Sequence, residues 1–85
     1  MTTTKRATGL ALGDWLREHG ITQDECAEGA GVSQTCVSYR VQRRERPLAE
    51  TVDRIVAYAR RVERAHRTPR SKRLDPAKLH PLRVM

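Results

Sequence analysis

Large apolar and aromatic side chains are scarce in this sequence. It contains no Phe, one Trp and two Tyr, and only 38% of its 85 residues are apolar, against roughly 45–50% in an average globular domain. A chain of this length forms one domain at most. The composition therefore excludes a large core and an enclosed substrate cavity. No run of residues approaches the ~18 consecutive apolar residues of a membrane span.

Cysteine is also scarce. Cys26 and Cys36 are too few for a disulfide framework, and together with the three histidines they match no metal-site spacing. The basic start at residues 1–6 leads into no long apolar stretch, so the sequence predicts no signal peptide. We therefore expect reduced thiols that fill the core of a cytoplasmic protein, and neither a metal nor another cofactor.

Basic residues, by contrast, are abundant and unevenly placed. Lys and Arg total 17 against 10 acids, for a formal charge of +7. Residues 1–39 carry a net charge of −2, residues 40–73 carry +8 and residues 74–85 carry +1. Fourteen of the bases are Arg, whose planar guanidinium suits bidentate contacts with phosphate. This distribution indicates a polyanionic partner, with nucleic acid favoured over an anionic membrane surface.

Helical spacing begins after a short N-terminal arm. Residues 1–7 show no apolar period and predict a flexible arm. Apolar residues then recur at helical spacing from Leu10 to His19, and Gly20 follows where a helix C′ residue favours the left-handed conformation. The pattern predicts a first helix that ends at Gly20, with Trp15 as its core anchor.

Two further helices are predicted close together. Thr22 and Glu25 have the spacing of a capping box, which predicts a second helix over about residues 23–29. Ser33 is the candidate N-cap of a third helix over about residues 34–43. Only about three residues separate the two helices, as in a helix-turn-helix.

A fourth helix and a tail complete the predicted organisation. Apolar residues at helical spacing predict the fourth helix over about residues 48–66, opened by Pro47. Residues 67–85 contain three prolines and predict an extended basic tail that is mobile in the free protein. A chain cut after His66 is therefore expected to remain folded. The predicted core comprises Leu10, Leu12, Trp15, Leu16, Ile21, Cys26, Ala27, Val32, Val37, Val41, Leu48, Val52, Ile55, Val56 and Ala59.

The stretch from Gln23 to Gln42 resembles the helix-turn-helix motif of the Cro and lambda-repressor-type (Xre-like) regulators. The match lies at turn and interior positions: Ala27 stands where the two helices cross, and Gly31 is the turn glycine. Val32 and Val37 occupy core positions of the motif, as do Cys26 and Ala30. The resemblance implies a small all-α domain of four to five helices over residues 8–66, followed by the basic C-terminal tail.

The sequence departs from the family pattern at two positions. Arg40 stands where the family usually has an apolar residue, so Val41, one residue later, is expected to take the core role. Gly29 stands where a helix former is more usual.

In this family the third helix enters the major groove of DNA and points its N-terminal half at base edges. Gln pairs with adenine, and Ser and Thr reach bases or a thymine methyl. The expected base-contacting residues are Gln34, Thr35, Ser38, Tyr39 and Gln42. The expected phosphate-contacting residues are Gln23, Ser33, Arg40, Arg43, Arg44 and Arg46. On periodicity alone, these polar residues fit an ordinary solvent-facing surface as well, and Tyr39 fits packing on the fourth helix.

The resemblance implies a sequence-specific regulator of transcription that binds double-stranded DNA, such as a Cro-like phage or prophage repressor. Such proteins generally bind a pseudo-palindromic operator as homodimers. The chain has no room for a ligand domain, so we expect no small-molecule ligand. It carries no paired carboxylates, Cys–His pair or phosphate-binding glycine loop, so we expect no enzyme activity.

Two alternative functions stay open at this point. The first is the antitoxin of a toxin–antitoxin pair, whose tail would fold on its toxin. The second is a basic RNA-binding module, although the sequence has few of the aromatic side chains on which single-stranded bases stack.

Overall fold

Four α-helices follow one another along residues 9–42 and 48–79, the part of the chain that the computed structural model describes. No β-strand occurs in these two stretches. The predicted all-α fold is therefore confirmed, and each helix lies within a few residues of its predicted position. The helices are α1 (Leu12–His19), α2 (Gln23–Ala30), α3 (Gln34–Gln42) and α4 (Ala49–His66), followed by two 3₁₀ turns at Arg70–Lys72 and Pro76–Leu79.

Local signals in the sequence account for the ends of α1 and α2. The Thr22 hydroxyl accepts a hydrogen bond from the Glu25 amide at 3.1 Å, and the Glu25 carboxylate accepts one from the Thr22 amide at 2.8 Å. This is the predicted capping box. Gly20 and Gly31 have φ angles of 67° and 76°, a left-handed conformation that costs glycine little because it lacks Cβ. Helix α2 runs past its predicted end at Gly29, because Gly31 ends it.

The core lies where α1, α2 and α3 meet α4. The most extensive helix–helix contacts are those of α2 with α3 and with α4. Helices α1 and α4 each present an apolar side to this centre, and α3 contributes the fully buried Val37. The buried apolar residues are Leu12, Trp15, Leu16, Cys26, Ala27, Val37, Ile55, Ala59, Leu74 and Leu79.

The predicted core was wrong at Leu48, whose surface is 74% exposed. Leu48 is the N-cap of α4 and not part of its helical repeat. Its side chain therefore does not share the inward direction of Val52 and Ile55. Six other predicted core residues are partly buried and pack around the centre: Leu10, Ile21, Val32, Val41, Val52 and Val56.

The described part of the predicted tail, residues 67–79, is packed against the helices. Leu74 and Leu79 are only 2% and 0% exposed. The prediction of an extended, solvated tail is therefore wrong for this segment. The prediction failed because Leu74 and Leu79 belong to no helical or strand-like repeat of apolar residues. They are buried against a surface that the helices form together.

A short parallel bridge ties this C-terminal segment to the chain before α1. The Leu10 amide donates to the Arg73 carbonyl at 2.8 Å, and the Asp75 amide donates to the Leu10 carbonyl at 2.9 Å. Gly9 lies so close that an added Cβ would stand 2.6 Å from the Arg73 carbonyl oxygen. A side chain at this position would therefore push the two strands of chain apart.

Glu63 on α4 joins three parts of the fold through one buried carboxylate. One of its oxygens accepts from the Trp15 indole at 2.9 Å and from the Leu74 amide at 2.6 Å. The other oxygen accepts from Arg60 at 2.8 Å. Glu63 is only 4% exposed, and burial of a charge is tolerated when it is paired and hydrogen-bonded as this one is.

Candidate nucleic-acid interface

The residues of α3 fall on two sides of the helix. At ~100° per residue, the five polar residues predicted to contact bases share a sector of about 140°. Cys36, Val37, Arg40 and Val41 share the opposite sector. Val37 and Arg40 are buried, and Cys36 and Val41 are half-buried. One side of α3 is therefore interior and the other faces outward.

The outward side carries hydrogen-bonding groups at or near the surface. Gln34, Thr35 and Gln42 are exposed, and Ser38 and Tyr39 are half-buried. The side chains of Gln34 and Thr35 make no hydrogen bond with the described part of the chain. Gln42 donates to the Ser38 hydroxyl at 3.3 Å, which links neighbouring turns of the same face. This face offers amide and hydroxyl groups that match the donors and acceptors of base edges.

Two described members of the predicted phosphate set, Ser33 and Gln23, stay near the surface. Ser33 directly precedes α3, and Gln23 lies at the start of α2. The Ser33 hydroxyl accepts from the Cys36 amide at 3.2 Å and so caps α3. Both positions adjoin helix N-termini, where free backbone amides and the helix dipole favour an anion. The other candidates, Arg43, Arg44 and Arg46, lie outside the described residues.

Arg40 was predicted to contact phosphate, but the structure places it in the interior. It is 3% exposed, and its guanidinium donates to the Leu79 carbonyl at 2.8 Å. Arg40 therefore keeps the interior position that the family gives to an apolar residue. Val41, which was expected to take the core role, is partly buried and packs against the core beside it. Spacing could have indicated this: Arg40 lies four residues after Cys36 and three after Val37, within the interior sector.

Close approach of α1 to α3 holds the outward face in place. A Cβ added at Gly13 of α1 would stand 3.2 Å from a methyl group of Val41, so the two helices are already in van der Waals contact there. In the turn that precedes α3, the Val32 amide donates to the Ala27 carbonyl at 3.0 Å. This bond fixes the turn between α2 and α3.

Helix α4 supports the C-terminal end of α2 through two arginines that sequence reasoning missed. Arg54 donates to the Gly31 carbonyl at 3.0 Å, and Arg61 donates to the Gly29 carbonyl at 3.0 Å. Cations at this end also complement the helix dipole. Their separation of seven residues, which places both on one side of α4, was the available signal.

Gly29 lies beneath the ring of Tyr58. A Cβ at Gly29 would stand 2.6 Å from Cδ1 of that ring, closer than any real contact. The glycine that departs from the family pattern therefore has a packing reason. It allows the aromatic ring of Tyr58 on α4 to approach α2 closely, and the same ring makes a T-shaped contact with Trp15.

Comparison with known proteins gave no match to a family model, to a curated protein or to a solved structure.

Other kinds of site find no support in the described stretches. No group of three or more His, Cys, Asp or Glu side chains there is placed to hold a metal ion. No helix there is both long and apolar enough to cross a bilayer. Burial raises the pKa of the Cys26 thiol to about 11, so this thiol is neutral at physiological pH and a poor nucleophile.

Proposed function

We propose that this protein is a sequence-specific regulator of transcription that binds double-stranded DNA through α3. The proposal rests on the arrangement of α3, in which one polar, outward face is supported from behind by α1 and α2. Gln34 and Thr35 lie at the start of this face and have unused hydrogen-bonding groups. A helix of this diameter fits the major groove of B-form DNA.

In the proposed complex, base edges and phosphates are contacted by different residues. Gln34 pairs with adenine, and Thr35 and Ser38 contact bases one turn apart. Tyr39 and Gln42 extend the same face. Phosphate contacts position the helix without reading sequence. Gln23 and Ser33 supply them at the helix N-termini, with Arg43, Arg44 and Arg46 directly after α3 in the sequence.

The proposal includes a homodimer on a pseudo-palindromic operator. One α3 reads only a few base pairs, and two copies related by a two-fold axis place their helices ~34 Å apart, in successive turns of the groove. Regulation then acts through protein concentration and operator occupancy in the cytoplasm, in the manner of a Cro-like phage or prophage repressor.

Selection of bound duplexes from a random library tests this proposal directly. We expect a consensus with two half-sites in inverted orientation, about 10 base pairs apart from centre to centre. The same selection with Gln34→Ala is expected to lose preference at one position of each half-site. Recovery of unrelated sequences from the wild-type protein would contradict sequence-specific binding.

The two alternative functions gain no support from the described contacts. An antitoxin whose tail folds on a toxin needs that tail to be free, but Leu74 and Leu79 are buried in the protein's own core. Among the three aromatic residues, Trp15 is fully buried and Tyr58 packs on Gly29. Little aromatic surface is left for stacking single-stranded bases.

A further inference from the structure

A second basic surface lies between the C-terminal half of α4 and the segment that follows it. Two adjoining cavities of about 370 Å³ and about 390 Å³ share Arg60 and Arg73 in their walls. The first is also lined by Arg64 and Arg67, and the second by Arg70. We call this combined depression the arginine cleft.

Most of the positive charge in the arginine cleft is not neutralised. Its walls contain five arginines and two acids, Glu63 and Asp75. The carboxylate of Glu63 already bonds Arg60, Trp15 and Leu74. Like charges held together destabilise a fold, so a cluster of this kind favours a bound anion.

Three of the five guanidinium groups have no partner within the described residues. The side chains of Arg64, Arg67 and Arg70 make no hydrogen bond or ion pair there. Arg73 donates to the Thr68 carbonyl, which fixes its direction without cancelling its charge. Arg60 donates to the Leu74 carbonyl and is also ion-paired with Glu63. Arg64 near the end of α4 and Arg67 at its C-cap therefore have side-chain donors that no described residue occupies.

The backbone at Arg67 gives an independent indication that its side chain serves a purpose. Arg67 has a φ angle of 51° and is the single non-glycine residue of the described stretches with positive φ. It is the C-cap of α4, a position where glycine or asparagine adopts this conformation at lower cost. Strained residues of this kind concentrate at functional sites.

We propose that the arginine cleft is a second anion site, separate from the outward face of α3, that binds a ligand with two or more linked phosphate groups. Guanidinium groups bind phosphate bidentately, and arginines at positions 60, 64 and 67 recur along one side of α4 at helical spacing. The cleft has almost no apolar lining apart from Leu74 and Pro76, which favours a charged ligand over an apolar one. The sequence predicted no small-molecule ligand because the chain has no room for a ligand domain, whereas an open cleft on the surface of this domain requires none.

Titration of the full chain with inorganic triphosphate at constant ionic strength tests the site. We expect saturable binding of one triphosphate per chain by calorimetry. Arg64→Gln and Arg67→Asn are each expected to weaken it roughly tenfold, the loss of one charge-assisted hydrogen bond. Asn is chosen at position 67 because it tolerates the left-handed backbone.

Arg17→Gln is the matched control. It removes one positive charge from an exposed arginine of α1 that is paired with Asp14 and does not line the cleft. This variant is expected to bind triphosphate within about twofold of the wild-type protein. Absence of saturable binding, or an equal loss in all three variants, would overturn the proposal.

Binding to a duplex of random sequence identifies the source of the phosphates. If a nucleic-acid backbone supplies them, Arg64→Gln lowers the salt slope of log K by ~0.9 relative to Arg17→Gln, and triphosphate competes with the duplex. If the ligand is a free oligophosphate, the two variants bind the duplex alike. The first result supports the phosphate site directly, and the second supports it when triphosphate binds saturably.

The triphosphate titration and the α3 experiments test two different surfaces, so the failure of one proposal can be told apart from the failure of the other. Gln34→Ala leaves every wall of the arginine cleft intact, so it is expected to bind triphosphate as the wild-type protein does. Failure of triphosphate to bind would leave DNA recognition by α3 standing, and failure of the duplex selection would leave the anion site standing.

Discussion

At the scale of single residues, Arg40 shows how a charged side chain occupies an interior position. An isolated buried charge is costly, but hydrogen bonds to its donors reduce the penalty. The Leu79 carbonyl accepts from the Arg40 guanidinium, and the long aliphatic stem fills apolar space as an aliphatic residue would. Arg40 thus connects α3 to the last described residue of the chain.

Gln34→Ala is expected to lower the affinity for the selected operator more than the affinity for unrelated DNA. The change removes one amide that pairs with a base, which costs about 1–3 kcal/mol on the selected operator and little on unrelated duplexes. Titrations on both kinds of DNA at one salt concentration measure the difference. An equal loss on both would show that Gln34 does not read a base.

Gln23→Ala is the matched contrast, since it removes the same side chain from the start of α2. A phosphate contact carries no sequence information, so this variant is expected to weaken operator and unrelated DNA alike.

Stability of the wild-type protein is expected to fall as pH rises from about 9 to about 11. Burial raises the pKa of Cys26 from its ordinary value of 9.0 to about 11. Within this window the unfolded chain releases the thiol proton while the folded chain retains it, so unfolding becomes more favourable, by up to roughly 2–3 kcal/mol. Urea unfolding across this pH range measures the slope.

Cys26→Ala is expected to flatten this pH dependence, because the titrating thiol is gone. Cys36→Ala is the matched control, since it removes a half-buried thiol from the same pair of helices. Identical slopes in the wild-type protein and in Cys26→Ala would assign the pH dependence to other groups.

At the scale of elements, α2 is held at both ends by different means. The capping box of Thr22 and Glu25 satisfies amides at its N-terminus. At its C-terminus, Gly31 turns the chain, and Arg54 and Arg61 reach across from α4 to the last carbonyls. Helix α3 follows directly after this end of α2, so these contacts also help to set the orientation of α3.

Gly29→Ala is expected to destabilise the protein although alanine is the better helix former. The gain in helix propensity is ~1 kcal/mol, whereas the new methyl group meets the ring of Tyr58 and forces a shift. Overpacking of this kind costs about 1–3 kcal/mol, and we expect a net loss. Urea denaturation gives the free energy of unfolding.

The same substitution in a Tyr58→Leu background completes a double-mutant cycle. With the ring removed, Gly29→Ala is expected to become neutral or stabilising. A similar loss in both backgrounds would mean that the ring is not what excludes the methyl group.

At the scale of the whole molecule, the segment at residues 67–79 completes the core. It contributes Leu74 and Leu79 to the buried apolar set and supplies an amide to Glu63. Lys78 also donates to the Gly9 carbonyl at 2.8 Å. The two ends of the described chain are therefore held together.

A chain that ends at His66 is expected to lose cooperative folding, contrary to the prediction from sequence. Deleting a single buried leucine side chain costs about 2–5 kcal/mol, and this truncation removes two. The total stability of a small domain is only about 5–15 kcal/mol. Circular dichroism during thermal unfolding distinguishes a cooperative transition from a gradual one.

A chain that ends at Leu79 is the matched control, since it keeps both leucines and the bridge to Leu10. It is expected to unfold cooperatively. If the chain ending at His66 unfolded at the same temperature as this control, the C-terminal segment would contribute nothing to stability.

The sequence by itself determined the four helices and the outward face of α3. The clearest helix ends depend on residues within one or two turns, as in the capping box at Thr22 and the turn at Gly31. The polar face of α3 follows from the helical period, so Gln34, Thr35 and Ser38 could be selected without a structure. Whether that face binds DNA stays a proposal.

Only the tertiary structure decided the burial of Arg40, the role of Glu63 and the path of residues 67–79. Arg40 meets its acceptor 39 residues away, and Glu63 bonds Trp15 across 48 residues. No local pattern encodes such pairs, because each depends on a surface that several helices build together. The arginine cleft arises in the same way, since its two walls come near each other only when Leu74 and Leu79 are buried.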